Sequence, residues 1–136
     1  MTIGIGLNRD AKEAAVRRLL NNGAVLHLLT APLSYTDGLA QLEQVEISET
    51  AYEPVSVTGS DFDVVHDDAN EEATLTNNTD FSFGIAEQNW DETISDAAIS
   101  AGDEILRLET SVVDEHEVFE AERVEVPMET LEYTLG

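Results

Sequence analysis

Twenty-nine acidic residues stand against six basic ones in this chain of 136 residues, a formal net charge of -23. Like charges at that density push a compact chain apart in dilute buffer. Salt relieves the repulsion, because the Debye length shrinks to roughly 3 Å at 1 M. A carboxylate-rich surface with a single lysine, Lys12, is suited to molar salt. The expected setting is therefore an extreme halophile, or a virus of one. Disorder is the other outcome of so much charge, but 42% of the residues are hydrophobic and recur with regular periods, which favours a packed core.

The charge is polarised. Residues 1–22 contain the bases Arg9, Lys12, Arg17 and Arg18 and only two acids, Asp10 and Glu13; the other two bases, Arg107 and Arg123, lie in the acidic remainder. A body of that sign repels phosphates, so a nucleic-acid partner is not expected. The basic end, with Arg9, Lys12, Arg17 and Arg18, suits docking on an acidic partner subunit. The competing reading is a solvated helix face.

Cysteine is absent, so disulfides, thiolate metal sites and thiol nucleophiles are excluded. MTIGIGLN lacks the basic start and apolar stretch of a signal peptide. The apolar run Ala24–Ala31 is far shorter than the about 20 residues a membrane span needs. A soluble chain with no membrane partner is expected.

Apolar residues Ala15, Val16, Leu19 and Leu20 recur at helical spacing. Asp10 with Glu13 three residues on forms a capping box, and Asn21-Asn22-Gly23 is a stop. These signals predict a helix over residues 9–22. After Gly23 the pattern turns to β. Ala24–Ala31 reads as a buried strand, residues 33–44 as a loop, and Val45 and Ile47 as strand positions alternating with acids. Phe81 and Phe83 alternate with Ser82, and Gly102-Asp103 reads as a hairpin turn between Ile94–Ile99 and Ile105–Leu108. Leu131, Tyr133 and Leu135 alternate with Glu132 and Thr134. About eight to ten short strands predict a mainly β fold, an antiparallel β-sandwich with one N-terminal α-helix. The expected organisation is an N-terminal segment and helix over 1–22, used for docking, and a β-sandwich domain over 23–136.

Little in the chain reads as catalytic. His27, His66 and His116 are far apart in sequence and fall in no metalloprotease or hydrolase motif; His27 reads as a packed or edge residue of the first strand. The segment Asp61–Glu72 has acids at the first, third, seventh and twelfth positions of a calcium loop. It has His66 where the loop needs glycine, and Val65 at the fifth position, so it reads as a solvated acidic loop with a looser cation site as the alternative. Asn77-Asn78-Thr79 is a glycosylation sequon in a turn. No cofactor, metal site or catalytic residue is expected, and the chain does not read as an enzyme.

The stretch Asn77-Asn78-Thr79-Asp80-Phe81-Ser82-Phe83, with Trp90 seven residues after Phe83, leads into Ile94, Ala98-Ile99 and Gly102-Asp103-Glu104-Ile105-Leu106. It ends on Val124–Leu135. With Leu26-His27-Leu28-Leu29-Thr30-Ala31 ahead of Pro32, this order resembles a family of small tailed-phage virion proteins, of the tail fibre-like, minor tail or head decoration kind. Asp91 and Ala98 stand where that family usually has glycine. The resemblance covers roughly residues 9–135 and implies no chemistry.

It implies a structural protein of the virion, assembled in the host cytoplasm, with other virion proteins (a major capsid protein or tail proteins) as partners and a homo-oligomeric state. A capsid decoration or minor capsid role is preferred, since the chain has no heptads or shaft repeats. The alternatives are a tail fibre or baseplate component, or a host-surface module that binds glycan through Trp90 and acidic loops. The aromatics Phe81, Phe83 and Trp90 are expected in the core.

Overall fold

The computed structural model of the protein describes residues 8–110 and 115–135. The elements run α1 (Arg9–Leu20), β1 (Ala24–Leu29), α2 (Leu39–Val45), β2 (Val55–Val57), a 3-10 turn (Gly59–Asp61), β3 (Phe62–Asp67) and β4 (Glu72–Asn77). They continue with β5 (Phe81–Ile85), β6 (Thr93–Ile94), β7 (Asp96–Ala101), β8 (Glu104–Thr110), β9 (His116–Glu117), β10 (Arg123–Val126) and β11 (Leu131–Leu135). The fold is mainly β and every strand pair is antiparallel. A seven-stranded sheet has the order β2-β1-β7-β8-β11-β4-β3, and β10-β5 and β6-β9 form two-stranded ribbons.

Side-chain alternation sorts the sheet into two faces. Leu26 and Leu28 of β1, Ala97 and Ile99 of β7, and Leu106 and Leu108 of β8 share one core with Phe81 and Phe83 of β5 and Val124 of β10. The β5–β10 ribbon thus forms a second layer on that face. On the opposite face Leu29 and Ala98 pack with Leu33 and Leu42, so α2 and its approach cover part of β1 and β7. This double coverage explains why Ala97, Ala98 and Ile99 are all buried in sequence and why β1 reads as an unbroken apolar run.

Helix α1 begins one residue before its expected cap. Asn8, not Asp10, is the N-cap, and its side chain accepts from the Ala11 N–H. Asp10 instead lies in the first turn and Arg17 and Arg18 in the last, both favourable to the helix dipole. Gly23 follows with φ of 66°, the left-handed conformation expected of it. Val16 and Leu20 are buried in the main core, so the helix packs on the sheet and shares its core. Residues 1–7 of the expected docking segment lie outside the described residues.

A second helix corrects the loop expected over residues 33–44. Val45, expected in a strand, ends that helix, while Glu46 forms a single bridge with Leu29 and the Ile47 N–H bonds the Leu28 carbonyl. The Gly102-Asp103 turn joins β7 and β8 as expected, with Ala101 opposite Glu104.

Candidate functional site

Three of the four basic residues near the N-terminus bond their own chain. Lys12 Nζ donates to the Glu71 carbonyl at 2.6 Å and Arg9 meets Asp68 at 3.5 Å, both on the β3–β4 hairpin. Arg17 donates to the Gly59 carbonyl at 2.7 Å and the Phe62 carbonyl at 3.4 Å, and also pairs with Glu13 at 3.2 Å. Arg17, named among the docking residues, thus bridges the helix to the chain entering β3. Arg18 is exposed and has no hydrogen bond or ion pair with another described residue. Of the four expected docking residues, Arg18 is the one whose charge faces outward unpaired.

The acids of the Asp61–Glu72 segment lie mostly on the outside of the β3–β4 hairpin. Hydrogen bonds from the Asn70 side chain and backbone hold the Asp67 carboxyl below the usual aspartate range. No group of three or more metal-ligating side chains occurs among the described residues. No described helix is long and apolar enough to cross a membrane.

Phe81, Phe83 and Trp90 are 5%, 1% and 9% exposed and belong to the main core. Tyr52 stacks on Phe83 with ring centroids 5.9 Å apart and meets Trp90 edge-on at 6.3 Å. Trp90 is therefore largely enclosed and leaves little ring surface on which a sugar could stack. Its buried indole N–H has no acceptor among the described residues.

Asn77, the acceptor of the sequon, is fully buried. Its Nδ2 donates to the Thr79 and Pro127 carbonyls at 3.0 and 2.8 Å. Its Oδ1 accepts from the Thr130 and Leu131 N–H groups at 3.1 and 2.9 Å. Both donors and both acceptor positions of the amide are filled, so a glycan on Nδ2 is incompatible with the fold. Asn77 joins the end of β4 to the chain entering β11.

One constellation escaped the sequence. On the face partly covered by α2, the His27 Nδ1 lies 2.5 Å from Glu46 Oε2 and its Nε2 lies 2.8 Å from Ser100 Oγ. A carboxylate only accepts, so the Nδ1 proton faces Glu46; in the neutral ring Nε2 is then the acceptor for the Ser100 hydroxyl. The Tyr52 hydroxyl donates to the same Glu46 oxygen at 2.8 Å and accepts from the Leu28 N–H at 3.0 Å. Burial pushes the Tyr52 hydroxyl well above the usual tyrosine value; the Leu28 N–H pulls the other way and Glu46 adds to the rise. His27 was read as a packed or edge residue; it is at the centre of this line. His66 and His116 also face glutamates, Glu13 at 3.6 Å and Glu122 at 2.9 Å, without a hydroxyl on the other nitrogen. The same sheet face carries a groove of about 560 Å³ between the 29–35 segment and β8 and β11, with Tyr35, 88% exposed, and Arg107 among its walls.

Compared with protein-family models, curated proteins and solved structures, the chain matches none.

Proposed function

We propose that the protein is a structural component of the virion of a tailed virus of a halophilic archaeon, a capsid decoration or minor capsid protein. The observation that supports this reading is the spatial coherence of the segments that carry the family resemblance. They fall on β1, β4, β7, β8 and β11, which are neighbours in one sheet, and on β5 and β10, which form the ribbon over it. The asparagine, phenylalanine and tryptophan of the resemblance are all buried and hold those pieces together.

A small layered β domain whose carboxylates face outward suits a knob fixed to a shell and exposed to brine. Its partners are other virion proteins or further copies of itself. A tail fibre or baseplate position is the alternative within the same particle. An electron-microscopy map of purified virions tests the reading. Density for this fold on the capsid lattice supports it, density on the tail selects the alternative, and absence of the protein from purified particles overturns both.

A further inference from the structure

Ser100, His27 and Glu46 are separated by 73 and 19 positions around His27, yet form a continuous hydrogen-bonded line from hydroxyl to imidazole to carboxylate. That order makes a serine hydroxyl nucleophilic: the imidazole takes the proton as the oxygen attacks, and the carboxylate fixes the tautomer and the ring. Both separations are within reach for proton transfer. Three different parts of the chain supply the groups. His27 projects from β1, Ser100 from β7, and Glu46 from the residue that bridges to Leu29 after α2.

The surroundings favour a working group over simple satisfaction of a buried one. Ser100 is half-buried rather than enclosed in the core. Glu46 is held at the same oxygen by Tyr52, whose ring stacks on Phe83 and meets Trp90 edge-on. The carboxylate is thus supported by the core, as a precise site requires. The groove on this face has Ile105, the direct cross-strand partner of Ser100, in its wall, although Ser100 itself is not part of the lining.

We propose that Ser100 is a nucleophilic serine that takes an acyl group from esters. His27 acts as its base, and Glu46 and Tyr52 are positioning residues. In the step, Ser100 Oγ bonds to the ester carbonyl carbon and its proton passes to His27 Nε2. The carbon–oxygen bond to the leaving alcohol or phenol then breaks, and His27 returns the proton to that oxygen. The product is an ester on Ser100. This inference is independent of the virion reading.

The test uses the full chain in molar KCl with two probes, a fluorophosphonate and p-nitrophenyl acetate. One adduct mapped by mass spectrometry to Ser100, absent in Ser100→Ala, is expected. General-base assistance contributes about a hundredfold or more, so His27→Gln is expected to slow labelling by at least that factor. Glu46→Gln is expected to slow it as well, and to shift the His27 Nδ1–H proton resonance, which a merely structural loss elsewhere leaves in place. Labelling no faster than that of the heat-unfolded chain, or spread over other hydroxyls, overturns the proposal. So does an unchanged rate in a folded His27→Gln chain. Should that variant not fold, Glu46→Gln carries the test, and an unchanged rate there overturns the proposal equally.

Discussion

Asn77 accepts a hydrogen bond of 2.9 Å on its side-chain oxygen from the backbone N–H of Leu131, 54 positions later and fully buried. With its three companion bonds this fixes the end of β4 to the start of β11, neighbours in the seven-stranded sheet. Asn77→Ala removes all four bonds and takes the side-chain acceptor from the buried Leu131 N–H, which costs about 1–3 kcal/mol. A loss of that order is expected in chemical denaturation. Asn77→Asp keeps two acceptor positions but turns a carboxylate toward the Thr79 and Pro127 carbonyls, so it is expected to be no better than alanine. Wild-type stability in either variant contradicts the role.

The contrast between Asn77 and Gly102 shows what the sequence made legible. Gly102-Asp103 reads as a hairpin because turn chemistry is local, and the left-handed φ of 61° at Gly102 is what such a turn requires. Asn77 reads as a surface sequon because nothing local says that its side chain will be enclosed by residues 127–131. Helix α2 has seven residues, too few to display a helical period, and its N-cap Gly38 has no capping side chain; Gln41 reaches back to the Gly38 N–H instead. The line through His27 depends on strand register, since Ser100 and His27 become neighbours only when β1 pairs with β7. No spacing along the chain announces that meeting.

Gly84 has φ of 109°, and a Cβ added there would collide with the Ala51 carbonyl. Gly84→Ala combines backbone strain of about 1–3 kcal/mol with a contact that only movement of the 49–53 segment can relieve. That movement would disturb the Glu53 N–H bond to the Phe83 carbonyl. A markedly lower melting midpoint is expected, and an unchanged one would show that the close approach is not present in solution.

Tyr52 gives the protein an alkaline limit. Its hydroxyl titrates higher in the fold than in the unfolded chain, because burial and Glu46 disfavour the phenolate. The neutral form contributes stability that is fully present below the unfolded value, about 10. That contribution is lost as pH rises from there toward the folded value. Melts at fixed molar salt are expected to fall above about pH 10, and to fall less steeply in Tyr52→Phe. Equal slopes in the two proteins would remove Tyr52 as the cause.

The acidic surface predicts salt dependence. At about 0.1 M salt the Debye length is about 10 Å, and it shortens to about 3 Å at 1 M. Repulsion among exposed carboxylates is therefore expected to ease between these conditions, raising the midpoint steeply from about 0.1 M to about 3 M KCl. A midpoint that stays level or drops argues against a brine-adapted protein.

Arg17 and Arg18 separate folding from docking. Arg17→Glu replaces bonds to the Gly59 and Phe62 carbonyls with a carboxylate facing the same oxygens. Hydrogen bonds to charged groups contribute about 1.5–3 kcal/mol, so a loss of that order is expected before any partner is involved. Arg18→Glu alters an exposed side chain and is expected to stay within about 0.5 kcal/mol of the wild type. In brine a partner contact cannot rest on long-range attraction, so an arginine contributes through direct, bidentate pairing with a carboxylate. If α1 docks on another virion subunit, Arg18→Glu is expected to reduce incorporation into particles while leaving the melt unchanged. Normal incorporation of Arg18→Glu, measured from the protein composition of purified virions, would show that the outward charge of α1 serves only as solvated surface.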